Sequence, residues 1–408
     1  MQPLFSLSPI AIYSLAFIAG SVIWLGLVLV LRRTTLRRST VLFLVGLGIT
    51  IRVALLPLAP IGSDDIFRYM WDGRVQSHGI DPYAFAPGDS ALSALHTQDL
   101  PARVNHPAVR TPYLPFTQWI FRVAYHFAGE DTRGIKTLLL LAECLTLVIL
   151  SRLLKLLGAP AQHLLLYALC PLPIIQFGLD GHIDGLGIPL MLGAILLLMQ
   201  ERRAFALILL GLSISIKPVG LVLLPVIIFS EKAWKWKIMG VIIPFLTVFL
   251  QFLPYFSSSD PFNGIMNFGR NWSYNGALFD ILYAILGNNP ASRIVCVVIL
   301  AAGIIAVAQK HWKIQEAAYV SILVLLLCSP VVHPWYVGWL AALLPLAFAW
   351  SGGIFVAAAS LTSVTVVQYQ TTGLWTLSPW ILVLEYVPVV VLFLLELRKN
   401  RRISHDIR

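Results

Sequence analysis

Residues 41–58 read VLFLVGLGITIRVALLPL, an unbroken apolar run carrying one charge, Arg52. Leu138 to Leu150 behaves the same way. Neither run alternates apolar with polar residues as a strand of an outer-membrane barrel would. In lipid only helices and closed barrels satisfy their own backbone, and a helix needs roughly 20 residues to cross. The whole chain agrees: of 408 residues, 58% are hydrophobic and 12% charged, with mean hydropathy +0.82, against roughly 45–50% and about 25% in soluble domains. The expectation is an all-α, polytopic integral membrane bundle. No hydrophilic stretch is long enough for a second domain and no internal repeat is visible, so 1–408 reads as a single transmembrane domain.

The net charge of +10 would raise nucleic acid for a soluble chain. Here the basic residues flank apolar blocks, which is a topology signal, and nucleic-acid binding is not expected. Arg32, Arg33, Arg37 and Arg38 follow the first apolar run, which reads as an uncleaved signal anchor with the N-terminus outside. Spans near 10–31, 41–58, 134–154, 162–178, 186–200, 238–255, 294–308, 316–331, 336–349, 352–368 and 380–397 then put every basic cluster, and the C-terminus, on the cytoplasmic side. The stretch 204–230 is long enough for one ordinary span, yet it begins and ends on that side with Lys217-Pro218 at its centre. A pair of short helices, re-entrant or tilted, is expected there, giving eleven spans or thirteen. The four cysteines lie within apolar blocks with no metal-ligand spacing.

The same parity sends the unusual polar residues outward, to the main loop 59–133 and the turns at 178–185, 256–293 and 332–336. The loop opens with SDDIFRYMWDGRVQSHGIDPYAFAP (63–87). Asp64 and Asp65 sit there at the water face as a candidate base or, being hard oxygen ligands, a divalent-metal clip; a helix cap is the bland alternative. Helical spacing places Asp65, Arg68 and Asp72 on one face with Tyr69 beside them. NHP (105–107), with His106, and TPYLPFTQW (111–119), with Tyr113, lead into an amphipathic helix suited to the membrane interface. Its apolar positions are Phe116, Ile120, Val123 and Phe127.

QFGLDGHIDGLG ends a span with Asp180, His182 and Asp184 among glycines that permit close backbone approach. Lys217, mid-segment and before a proline, is costly unless a partner or water meets it, and a phosphate is the natural ligand. Arg270, with Trp272 and Tyr274, and His333-Pro334-Trp335-Tyr336 supply further outward polar turns. One cluster formed from 64–72, 105–115, 180–184 and 333–336 is expected.

These motifs, with GHIDGLGIPLMLGAILL, KPVGLVLLP and HPWYVGWLAALLPL, occur in the order found in the GT-C polytopic glycosyltransferases and cover about residues 63 to 346. The chain resembles the bacterial polyprenol-phosphate-mannose-dependent mannosyltransferases and, more distantly, the catalytic subunit of GPI mannosyltransferase I. The resemblance implies a GT-C bundle in the bacterial inner membrane with its site on the extracytoplasmic face. It implies Asp64 or Asp65 as general base, supported by Arg68 and Tyr69. His182, Lys217 and His333 would contact donor phosphate or sugar, and Trp335 and Tyr336 would line the site. The span ahead of the usual first helix is a departure from the family's pattern.

The implied partners are a polyprenyl-phosphate-linked sugar, most simply mannose, a lipid or glycan acceptor, and membrane lipids. Such a donor carries its own leaving group, so a base for the acceptor hydroxyl and cations for the departing phosphate suffice. No cofactor is expected, with a divalent metal at Asp64/Asp65 as the other option. Direct displacement would invert the anomeric centre. A transporter or flippase of lipid-linked sugar is the competing reading, but such proteins bind near the midplane, whereas these polar clusters gather on one face.

Overall fold

The computed structural model describes residues 8–256, 260–310 and 312–405, with side chains described up to residue 399. Helices dominate, and among the described residues the β-structure is one isolated bridge between Tyr274 and Val331. Pro9–Leu31 (α1) starts at Ser8, whose side chain accepts from the Ala11 N–H, and Arg38–Leu55 (α2) follows. The outer loop then contributes Asp65–Ser77 (α3) and Pro115–Ala128 (α4). Arg133–Leu156 (α5) returns into the bundle. A pair bent by 43°, Ala161–Ala168 (α6) and Pro171–Leu179 (α7), comes next.

Asp184–Met199 (α8) is the centre of the bundle: twelve of its sixteen residues are buried, chiefly against α5 and Arg203–Ile216 (α9). Pro218–Ser230 (α10) and Trp234–Tyr255 (α11) follow. Then come Asn263–Asn271 (α12), Ala277–Leu286 (α13), Asn289–Gln309 (α14), Ile314–Cys328 (α15) and Pro334–Ala341 (α16). Trp350–Thr372 (α17) and Pro379–Lys399 (α18) close the chain.

Among the described residues seven helices are long and apolar enough to cross a bilayer, eight if the bent pair is one span. That is fewer than eleven, and the difference has a physical cause. α8 rises only about 24 Å at 1.5 Å per residue, short of the ~30 Å hydrocarbon layer. Surrounded by protein, it has no need to meet lipid at both ends. The expected spans at 316–331 and 336–349 are likewise a 15-residue and an 8-residue helix. The lipid-facing helices look different: Ile23 on α1, Phe43 on α2 and Val297 on α14 are more than 60% exposed, a surface stable only in apolar solvent. The chain forms a multi-pass helical membrane protein.

Two local features place the functional residues. Lys217 is extended (φ −153°, ψ 137°) between α9 and α10, because the ring of Pro218 excludes its neighbour from helical geometry. The expected short pair at 204–230 therefore breaks at this residue. The last turn of α7, Ile174–Leu179, is a π-helix, a form concentrated at functional positions. It delivers the chain to Asp180, Gly181 and His182.

Candidate active site

α3 is held from both sides. Arg68 Nε donates to Asp72 Oδ1 at 2.9 Å and its Nη1 to the Val109 carbonyl at 3.0 Å. Asp72 Oδ2 accepts from Thr111 Oγ1 at 2.6 Å and Gln118 Nε2 at 2.9 Å. Tyr69 stacks on Phe121, 4.7 Å between centroids, and meets Tyr113 edge-on. Arg68, Tyr69 and Asp72 are each at most 4% exposed, so they brace the outer loop and offer no open surface to a substrate. Charged groups this buried persist only when paired, and the pairing fixes the N-terminus of α3.

That N-terminus presents the acid pair. Asn105 Nδ2 donates to Asp64 Oδ1 at 2.9 Å and to Asp65 Oδ1 at 2.7 Å, clamping both carboxylates with one amide. Asp65 Oδ2 lies 3.5 Å from His182 Nδ1. Although burial opposes ionisation, the His182 and Asn105 donors win and hold the Asp65 carboxyl well below the usual range. Asp64 goes the other way: partial desolvation and then the neighbouring Asp65 charge push it up. Two adjacent carboxylates thus have opposed proton affinities, the pattern that separates acid–base roles.

His182 reaches Asp65 because Gly181 turns the chain at φ +80°, where a Cβ would also lie 2.5 Å from Ile66 Cδ1 on α3. Only glycine meets both demands. His182 is fully buried and stacks on Trp335 at 3.5 Å. His333 stacks on Trp335 at 4.3 Å, and two imidazoles that close must occupy opposite faces of the indole. Tyr274 continues the column on His333 at 4.7 Å. Burial pushes His333 down to about 3, so it is a neutral hydrogen-bonding group. Trp335 can offer a ligand its edge, not its faces.

The turn's two aspartates differ. Asp180 Oδ1 accepts the N–H groups of Ile61 at 3.0 Å and Gly62 at 2.8 Å, and Oδ2 accepts Tyr13 OH at 2.6 Å; it pins the outer loop to α1. Asp184 Oδ2 receives Lys217 Nζ at 2.9 Å, and its Oδ1 receives Trp339 Nε1 at 2.8 Å. Lys217 lies 3.8 Å from the centre of the Tyr336 ring, and the Asp65 charge acts on Lys217, Tyr336 and His333. Acid pair, His182, His333 and Lys217–Asp184 therefore form one cluster, in which Lys217 joins residues from the four segments expected to meet.

His106 sits at its rim, exposed, with its ring edge-on to Trp272 at 4.9 Å. Arg270 is exposed on α12 and makes no ion pair with the cluster. α4 forms as expected, but its buried face is Thr117, Gln118, Phe121 and Ala124. Val123 and Phe127 are 44% and 81% exposed, as an interfacial helix requires.

Several cluster residues escaped sequence reading. Asn105 lay within the noted NHP motif, and Trp339 within HPWYVGW. Glu385, an isolated acid in the last apolar run, accepts from Asn275 Nδ2 at 3.0 Å. Tyr386 OH donates to the Asn275 carbonyl at 2.7 Å, and together they secure the backbone beneath Tyr274. Among the described residues no group of three or more His, Cys, Asp or Glu side chains is placed to hold a metal ion. Asp64 and Asp65 supply two carboxylates already bridged by an amide.

Comparison with known proteins adds to this geometry. A family model described as alpha-(1->6)-mannopyranosyltransferase, N-terminal domain, matches residues 4–232, more than half of the chain. The chain belongs to this family. The matched region carries the acid pair, the Asp180–Asp184 turn and Lys217, while the His333 turn lies beyond it. Alpha-(1->6)-mannopyranosyltransferase A of Corynebacterium glutamicum is 26% identical over 186 residues, 43% of this chain and 36% of that protein. The match thus spans about a third of that relative's length. No solved structure matches.

Proposed function

We propose that this protein transfers a mannosyl unit from a polyprenyl-phosphate donor to a lipid or glycan acceptor at the extracytoplasmic face of the bacterial inner membrane, with inversion. The observation that carries the proposal is the convergence of two carboxylates of opposed proton affinity with a half-sheltered lysine. Family membership and the name of the Corynebacterium relative supply the sugar class.

In this mechanism Asp64 takes the acceptor's hydroxyl proton, since its raised affinity suits a base and its carboxylate is the more exposed of the pair. The alkoxide-like oxygen attacks the anomeric carbon as the bond to the phosphate oxygen breaks, and the electron pair leaves with the phosphate. A β-linked donor gives an α-linked product. Asp65 stays ionised between Asn105 and His182 and faces the positive charge that develops on the sugar ring. Lys217 balances the departing phosphate, with the Tyr336 hydroxyl and the neutral His333 imidazole offering hydrogen bonds. No step is routed through a metal.

Purified full-length protein incubated with radiolabelled polyprenyl-phosphate mannose, glucose or arabinose and a membrane lipid extract tests the proposal. A new labelled mannolipid, lost in Asp64→Asn, is expected. No product from any donor, with labelled donor instead crossing the vesicle membrane intact, would replace the enzyme by a flippase.

A further inference from the structure

Glu385 is fully buried in α18, and the mechanism above makes no use of it. Its Oε2 accepts from Asn275 Nδ2 at 3.0 Å, but its Oε1 has no hydrogen-bond partner. On the other side of that contact, Asn275 Oδ1 is buried and unpartnered too. No basic side chain is ion-paired with the carboxyl among the described residues. The titratable groups that face it are the phenols of Tyr274 and Tyr386, and Asp280 of α13 acts on Tyr386 as well. None of these supplies a cation.

An ionised carboxylate here would be a buried charge without a counter-charge, beside an amide oxygen that also lacks a donor, and a group so placed neutralises instead. One proton resolves both orphans. Placed on Oε1, it makes the carboxyl a donor to Asn275 Oδ1, and the two side chains close an acid–amide ring with a hydrogen bond in each direction.

What this ring holds is the far end of the aromatic column. Asn275 Nδ2 also donates to the Val332 carbonyl at 3.2 Å. The Tyr274 N–H donates to the Pro330 carbonyl at 2.9 Å, and the Tyr274 carbonyl accepts from the Val332 N–H at 2.8 Å. His333 is next in the chain, its ring against Tyr274, with Trp335 and His182 stacked beyond it toward Asp65. Asn275 sits at φ +54°, a left-handed conformation that persists where the surroundings impose it. Glu385 imposes it from the side chain and Tyr386 OH, donating to the Asn275 carbonyl at 2.7 Å, from the backbone.

We propose that Glu385 is a positioning residue that works as a neutral acid, donating to Asn275 Oδ1 and thereby fixing His333 and Trp335 against His182. Its protonation is independent of the mannosyltransfer reading above, and its effect on transfer rests on that reading.

Infrared spectra of full-length protein in nanodiscs at neutral pH test the protonation. Subtracting Glu385→Gln from wild type should leave the C=O stretch of a protonated carboxylic acid, and a carboxylate band in its place overturns the proposal. Transfer from polyprenyl-phosphate mannose to a membrane lipid extract tests the positioning. Glu385→Leu should lower kcat by about 10²-fold, the scale of a misplacement of about 1 Å. Glu385→Gln, whose amide can donate to Oδ1 and accept from Nδ2, should keep the wild-type rate. Loss in Glu385→Gln, or none in Glu385→Leu, overturns the proposal, and the glutamine variant alone decides if the leucine variant does not fold. If wild type transfers nothing, the mannosyltransfer reading fails and amide hydrogen exchange decides instead. Residues 330–336 should then exchange faster in Glu385→Leu and at the wild-type rate in Glu385→Gln, and equal exchange in all three removes the anchor.

Discussion

The bundle buries two cation–carboxylate pairs between apolar helices, and they are built to different ends. Arg52 on α2 meets Glu143 on α5 at 3.0 Å with both side chains at most 2% exposed. Its Nη1 also donates to the carbonyls of Ala168 at 2.7 Å and Gly48 at 3.1 Å, and Tyr167 OH donates to Glu143 Oε1 at 2.6 Å. Lys217 meets Asp184 at 2.9 Å, but the lysine keeps 19% of its side chain exposed while Asp184 keeps 1%. The first pair is closed on every side and ties α2, α5 and α6 together. The second leaves its cation at an opening. Burial of charge is thus a structural device in one place and, under the proposed function, a reactive one in the other, and access tells them apart.

The largest expected effect would draw that line most sharply. Asp64→Asn, beside the open pair, should cut the transfer rate by about 10²–10⁴-fold with the thermal unfolding midpoint unmoved. A coincident loss of fold would put the open cluster in the structural class. Glu143→Leu should do the reverse, since stranding Arg52 costs about 3–5 kcal/mol. The measurement is thermal unfolding in detergent, with Arg52→Met/Glu143→Leu expected to recover most of the loss. A stable single variant would mean that Arg52 is satisfied by carbonyls alone.

Lys217→Met on its own leaves Asp184 buried with only Trp339, so it should cost stability as well as function. The informative variant is Lys217→Met/Asp184→Asn. It should remain folded yet bind polyprenyl-phosphate mannose at least about tenfold more weakly, the scale of a hydrogen bond to a charged group. Unchanged donor affinity would make the two pairs alike.

The smallest effect concerns pH. In the proposed mechanism Asp64 must be ionised, so the rate should rise with pH through its pKa, which lies above the ordinary carboxylate value. Asn105→Ala removes a hydrogen bond that favours the ionised form, so the acid limb of the profile should move to higher pH. A shift downward, or none, would detach Asn105 from the acid pair.

Much of this contrast was visible in the sequence as single residues and hidden as pairs. Arg52 announced itself as the one charge in 41–58, and Lys217-Pro218 as a break in 204–230, because a charge or a proline in an apolar helix is conspicuous locally. The partner of Arg52 was not readable. Glu143 lies 91 positions from Arg52, and which faces of α2 and α5 meet depends on helix rotation that no single helix encodes. The Asp180/Asp184 distinction failed for the same reason. Both sit in one glycine-rich turn, yet one is claimed by Tyr13 of α1 and the other by Lys217, through packing set far away. Hydropathy marked α8 as an ordinary span although protein surrounds it, because it measures apolarity and cannot tell a lipid neighbour from a protein one.

The π turn at Ile174–Leu179 carries a consequence for how this cluster tolerates insertion and deletion. Its i→i+5 bonds hold one residue more per turn than an α-helix would. Were that turn to tighten to α-helical bonding at unchanged length, everything downstream would swing by about 100°, the angle between successive residues at 3.6 per turn. Asp180 would leave Tyr13 and His182 would leave Asp65 together, with no side chain in the cluster altered, and only the deletion of one residue there would restore the phase. In this protein the winding of one short segment is therefore as much a determinant of the site as the identity of any acid or base in it.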